Sequence, residues 1–82
     1  MATQHIKWVR TQWFGRPAWK MVVSSMSVSP ANIVSYRPEK VPYRMVFLFD
    51  VEPLESVEWH ATLRAAKLRA LARFTQWQLT KE

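Results

Sequence analysis

The sequence predicts an α+β fold, in which an antiparallel sheet of about three strands carries one long C-terminal helix. The first half has short runs rich in β-branched and aromatic side chains, as strands do. The last third repeats apolar residues every three or four positions, which is typical of a helix. With 82 residues and an apolar fraction of 49%, we expect a single small binding domain spanning residues 1–82.

The first predicted strand covers residues 5–13, which read HIKWVRTQW. Its alternation of side chains puts Ile6 and Trp8 on one face and Val9 and Trp13 on the other. Since these large side chains point to opposite faces, we expect at least one of the first three tryptophans to be exposed.

Glycine, proline and serine predict where the next segments begin and end. Residues 14–17 hold the only glycine and a proline, so they mark a turn, and residues 18–28 return as the second strand of a hairpin. Pro30–Tyr36 follows a serine that can cap a helix, and this segment is either one or two helical turns or an irregular loop. After a turn at residues 37–40, residues 41–51 form the third strand. This strand is apolar on both faces and is therefore expected in the middle of the sheet.

The helix is predicted over residues 53–79. Pro53 suits the first helical position, and Glu52, Glu55 and Glu58 lie where the helix dipole favours negative charge. One apolar stripe runs along one side of this helix and a second runs along the opposite side. The first comprises Leu54, Val57, Ala61, Ala65, Leu68, Ala72 and Leu79; the second comprises Trp59, Leu63, Ala66, Ala70, Phe74 and Trp77.

A helix that packs on one small core needs only one apolar stripe. The second, aromatic stripe is therefore predicted to be an interface with a separate partner. A homodimer is the first expectation, because twofold pairs are the commonest oligomers and the small side chains of Ala66 and Ala70 would let two backbones approach. The alternatives are docking on a different protein, and strands that wrap both sides of the helix.

The net charge of +6 is concentrated in the N-terminal half. Seven basic residues and one acidic residue precede Val46, whereas five of each follow. This asymmetry favours a polyanionic partner, of which nucleic acid is the commonest. The alternative is that the charge only keeps a small domain soluble.

Tryptophans alternate with basic residues in this N-terminal half. Proteins that bind single-stranded nucleic acid combine cations for phosphates with flat rings on which bases stack. The same indoles would otherwise build the core. The predicted contacts to nucleic acid are Lys7, Trp8, Arg10, Trp13, Arg16, Lys20, Arg37 and Arg44.

Catalytic and metal-binding patterns are missing from the sequence. It has no cysteine, and its two histidines, His5 and His60, have no paired ligand motif. The cluster of Asp50 and three glutamates is largely explained by the start of the predicted helix. We therefore expect no enzymatic activity and no cofactor.

The expected location is the cytoplasm, without contact to a membrane, because basic residues interrupt the first twenty positions and no run approaches the length of a membrane span. Two functional hypotheses follow. The first is a nucleic-acid-binding module, for DNA or RNA and preferably single-stranded. The second is a small regulator or inhibitor that docks on a larger macromolecule through the aromatic helix stripe.

Overall fold

A computed structural model describes residues 5–48 and 56–81. Over these residues the fold is α+β with an antiparallel sheet and one C-terminal helix, as predicted, but the sheet has five strands rather than about three. The strands lie side by side in chain order. The elements are β1 (Ile6–Trp13), β2 (Arg16–Val23), β3 (Ala31–Ser35), β4 (Tyr43–Phe47), β5 (Ser56–His60) and α1 (Leu63–Lys81).

The predicted hairpin at the N-terminus is confirmed. β1 and β2 pair over their full lengths, from Ile6 opposite Val23 to Trp13 opposite Arg16, and β2 ends at Val23 instead of continuing to residue 28. The connecting residues Phe14 and Gly15 both have positive φ angles, 49° and 77°. Positive φ at both loop positions is what a type I′ turn requires. This conformation costs a residue with a side chain roughly 1 kcal/mol, a penalty that Gly15 avoids and Phe14 does not.

The segment Pro30–Tyr36 is neither a helix nor an irregular loop, because most of it forms β3. Its residues Ala31, Ile33 and Val34 are buried between neighbouring strands. Ile33 and Val34 are β-branched and fit a strand better than a helix, and pairing on both sides outweighs the Ser-Pro start signal. The backbone carbonyl of Pro30 instead accepts a hydrogen bond of 2.9 Å from the Leu48 amide.

β4 lies between β3 and β5, away from the sheet edges, as its apolar sequence predicted. The predicted helix start was wrong, because residues 56–60 form β5 and the helix begins only at Leu63. Thr62 caps the helix: its Oγ1 accepts a hydrogen bond of 3.1 Å from the Ala65 amide. The predictions at residues 49–55, including Pro53 and Leu54, lie outside the described residues.

One face of the sheet and one side of α1 form the core. Trp8 of β1 lies opposite Met21 of β2, and Ile33 of β3 lies between Trp19 of β2 and Met45 of β4. These side chains share the sheet face that points towards the helix. Phe74 of α1 is fully buried against them.

The aromatic helix stripe is therefore not the surface for a separate partner that we predicted. Leu63, Ala66, Ala70, Phe74 and Trp77 pack against the chain's own sheet, and Ala66, Ala70 and Phe74 have no exposed area. The stripe covers this core because α1 lies mainly on β4, with β3 and β5 beside it. The sixth predicted interface residue, Trp59, is in β5 rather than in the helix.

The opposite side of α1 is exposed. Leu68 is 57% exposed and Leu79 is 76% exposed. Within α1 the sequence pattern thus found two stripes but expected the other one to face the core. Of the first predicted stripe, Val57 is in β5, Ala61 precedes α1, and Leu54 lies outside the described residues. Neither α1 nor any other helical segment in the described part of the chain combines the length and the apolar character that crossing a membrane requires.

Candidate functional site

The sheet face directed away from α1 is the candidate site, and we call it the open face. Side chains alternate along each strand, so the register defines which residues share it. Among the described residues, no helix or further strand covers this face. Its residues are Lys7, Val9, Thr11, Trp13, Arg16, Ala18, Lys20, Val22, Asn32, Val34, Tyr36, Arg44, Val46, Val57 and Trp59.

The open face brings together five of the eight residues predicted to contact nucleic acid. Lys7 and Trp13 come from β1, Arg16 and Lys20 from β2, and Arg44 from β4. Both lysines are exposed, and Trp13 is 52% exposed, in agreement with the expectation that at least one of the first three tryptophans is exposed.

The other three predicted contacts lie elsewhere. Trp8 is half-buried against the core on the helix side, where the Lys67 ammonium lies 5.9 Å from its ring. Arg10 shares that side, and its guanidinium lies 5.4 Å from the ring of Trp19. Because successive side chains of β1 point to opposite faces of the sheet, Trp8 and Arg10 lie on the face opposite to Lys7 and Trp13. Arg37 lies in the turn after β3 and donates a hydrogen bond of 3.0 Å to the Tyr43 hydroxyl.

A row of aromatic and basic side chains crosses one end of the open face. The Arg16 guanidinium lies 4.7 Å from the centre of the Tyr36 ring, and the Tyr36 ring lies 5.5 Å from the Trp59 ring. Trp59 is 49% exposed. Sequence analysis missed Tyr36 and Trp59 as members of this site, because it assigned neither residue to a strand. The β-branched and aromatic residues next to them in the sequence favour strands and could have predicted this placement.

A depression of about 340 Å³ lies beside this row. Ala18, Val34 and Val46 line it and are at most 9% exposed. Thr11, Trp13, Asn32 and Arg44 also line it. The depression thus combines apolar surface with a hydroxyl, an amide, an indole and a guanidinium, which suits a flat ring that carries hydrogen-bonding groups.

The open face carries four cations and no carboxylate among the described residues. Glu39 lies in the turn after β3, where Lys40 follows it. Glu58 is in β5 but points towards α1, where the Nε of Arg69 donates to both carboxylate oxygens at 3.0 Å. Arg73 donates a further bond of 3.1 Å, so the helix neutralises Glu58 on the far side of the sheet.

The surroundings of Glu58 shift its pKa. Partial burial acts to raise the pKa of Glu58, but the hydrogen bonds and charge of Arg69, with hydrogen bonds from Arg73 and His60, outweigh burial and hold it below its ordinary value. A carboxyl whose pKa is lower in the folded chain stabilises the fold above its unfolded pKa, about 4.3. That stabilisation is lost as the pH falls through the folded pKa.

We therefore expect Glu58→Gln to lower the free energy of unfolding at pH 7 by about 1 kcal/mol, the scale of a partly exposed ion-pair network. The difference from the parent should begin to shrink near the unfolded pKa of a glutamate, about 4.3, and should vanish only below the lowered folded pKa of Glu58, where its carboxyl is protonated. Urea unfolding across pH measures it. Glu39→Gln, in an exposed turn, is the matched control and should change stability by less than about 0.5 kcal/mol at any pH. Equal pH profiles for the two variants would contradict this role of Glu58.

The described residues contain no group of three or more histidine, cysteine, aspartate or glutamate side chains placed to hold a metal ion. Of the acidic cluster considered in the sequence, Asp50, Glu52 and Glu55 lie outside the described residues.

In comparisons with known proteins, no family model, curated protein or solved structure matches this chain. Function is therefore inferred from the chemistry of the open face rather than from the fold.

Proposed function

We propose that this chain is a non-enzymatic nucleic-acid-binding module that holds a single strand on its open face. The supporting observation is that one exposed sheet face combines four cations with three aromatic rings and, among the described residues, has no carboxylate. A polyanion with flat bases matches both features, because cations bind its phosphates and rings stack on its bases.

The positions of the side chains suggest a division of roles. Lys7 and Lys20 are exposed and placed to contact phosphates. Trp13 and Trp59, each about half exposed, offer ring surface to bases. The depression beside Trp13 has room for one base, and Asn32 there can donate to and accept from its edge.

The competing hypothesis, a regulator that docks through the aromatic helix stripe, has less support, because Ala66, Ala70 and Phe74 of that stripe have no exposed area, and Leu63 and Trp77 pack against the core. The homodimer stays a prediction, but it would need a surface other than this stripe. No observation favours a specific protein partner over a nucleic acid at the open face.

The test is fluorescence anisotropy of a labelled single-stranded oligonucleotide over a salt series, with a duplex of the same sequence in parallel. We expect saturable binding that prefers the single strand and weakens as salt rises. Lys20→Gln should reduce the slope of log affinity against log salt by about 0.7, the value for one lost phosphate contact on a single strand.

The matched control is Arg64→Gln, which removes the same charge from an exposed position on α1, on the other side of the sheet. It should leave the salt slope within error of the parent. Equal loss of slope in both variants would show a nonspecific effect of net charge, and absence of binding at low salt would exclude nucleic acid as the ligand.

A further inference from the structure

The tip of the β1–β2 hairpin carries an aromatic side chain in an unusual setting. Phe14 is 89% exposed, the largest exposed fraction among the large hydrophobic residues in the described part of the chain. Its backbone has a φ of 49°, which lies in the left-handed region. Residues other than glycine, asparagine and aspartate rarely adopt this region. Its ring meets the Trp13 ring edge to face, with 4.9 Å between centroids and an interplanar angle of 88°.

The fold gives little reason for phenylalanine at this position. The turn would be less strained with asparagine, aspartate or glycine, which are the residues usual at the first position of a type I′ turn. An exposed ring also adds nothing to the core on the other side of the sheet. The side chain therefore strains the backbone and leaves an apolar ring in water, a combination that favours a role in contact with a ligand.

The neighbours of Phe14 indicate what kind of ligand this is. Trp13 and Arg16 flank the turn, and both belong to the open face. The perpendicular Trp13 ring contacts the Phe14 ring and orients it, while most of the Phe14 ring stays accessible. Proteins insert such apolar side chains between successive bases and unstack them.

We propose that Phe14 is a wedge that enters between two successive bases of a strand bound on the open face, with Trp13 as its support. This inference rests on the proposed function and extends it by naming the source of single-strand preference. Unpaired bases separate at little cost, whereas a duplex must be unstacked and kinked before it admits the ring. The wedge therefore strengthens binding to a single strand more than to a duplex.

The test compares the parent chain with Phe14→Asn and Phe14→Trp in the anisotropy assay, with thermal unfolding measured on the same samples. Phe14→Asn removes the ring but introduces a residue suited to the turn, so we expect an unfolding temperature equal to or above the parent's. Its affinity for the single strand should fall about 5- to 150-fold, the range for one lost stacking partner, with an unchanged salt slope. Phe14→Trp keeps a ring and should retain affinity within about threefold.

Four results would contradict the wedge or the role proposed for it. If Phe14→Asn binds the single strand as tightly as the parent, the wedge fails while the proposed function stands. If the parent binds no oligonucleotide, the wedge and the proposed function both fail. If Phe14→Asn weakens binding to vesicles of anionic phospholipid but not to oligonucleotides, the exposed ring enters a membrane surface instead. Equal losses for single strand and duplex would refute its role in single-strand preference.

Discussion

Replacing Phe74 with alanine should lower the free energy of unfolding by about 3–5 kcal/mol. Phe74 is fully buried and contributes one of the largest side chains in the core, between α1 and the sheet. Its loss leaves a cavity that neighbouring side chains fill only in part. For a domain of 82 residues, a loss of this size approaches the total stability expected of a small fold. Urea unfolding followed by tryptophan fluorescence measures the change.

The matched control is Leu79→Ala on the exposed side of the same helix, which should cost less than about 0.5 kcal/mol. This pair of variants also distinguishes a core position of Phe74 from a position at an interface between subunits. If Phe74 lay at an interface between subunits, Phe74→Ala would change the mass in solution and leave a folded monomer. A folded monomer with near-parental stability would contradict the core placement of Phe74.

Removing both exposed lysines of the open face should have the largest effect on binding. The double variant Lys7→Gln with Lys20→Gln is expected to lower affinity for a single-stranded oligonucleotide about 100-fold at 50 mM salt. This estimate assumes two lost phosphate contacts, each worth about 0.7 in salt slope. Both positions are exposed, so the unfolding temperature should change little. Anisotropy titrations at three or more salt concentrations provide the affinity and the slope.

The control for the double variant is Arg64→Gln with Lys67→Gln, which removes two charges from the helix layer. It should keep a salt slope close to the parent's and lose less than about fivefold in affinity through net charge alone. If the helix double variant lost as much affinity as the sheet double variant, the nucleic acid would not be held on the open face.

Local sequence patterns predicted the parts of the fold that depend on neighbouring residues. The β1–β2 hairpin followed from two β-rich runs around Gly15, and the central place of β4 followed from its two apolar faces. The same alternation correctly separated Trp8 from Trp13. Which of these two faces the helix would cover depends on packing between distant segments, and for that reason sequence analysis grouped Trp8 with residues that lie on the opposite face.

Long-range contacts explain the largest error of sequence analysis, the missing strand β5. Glu58 fits the N-terminal end of a helix by its charge, and that preference predicted helix from residue 53. In the structure Glu58 alternates with Val57 and Trp59 along a strand and pairs with Arg69 and Arg73 of α1. Arg69 and Arg73 follow Glu58 by 11 and 15 positions, so the ion pairs between β5 and α1 leave no pattern in the local sequence. Thr62 was the local signal for the true helix start, as a residue able to cap it.

The order of the strands has a consequence for how the chain acquires its structure during synthesis. Each strand pairs with the one that precedes it, so the sheet can grow by adding neighbours, without a crossover between distant segments. The side chains that close the core, among them Phe74, are on the last element. A nascent chain that has completed β5 but not α1 therefore presents Met21, Ile33 and Met45 on an uncovered surface. Packing of α1 on the sheet is the step that covers this surface and protects it from aggregation.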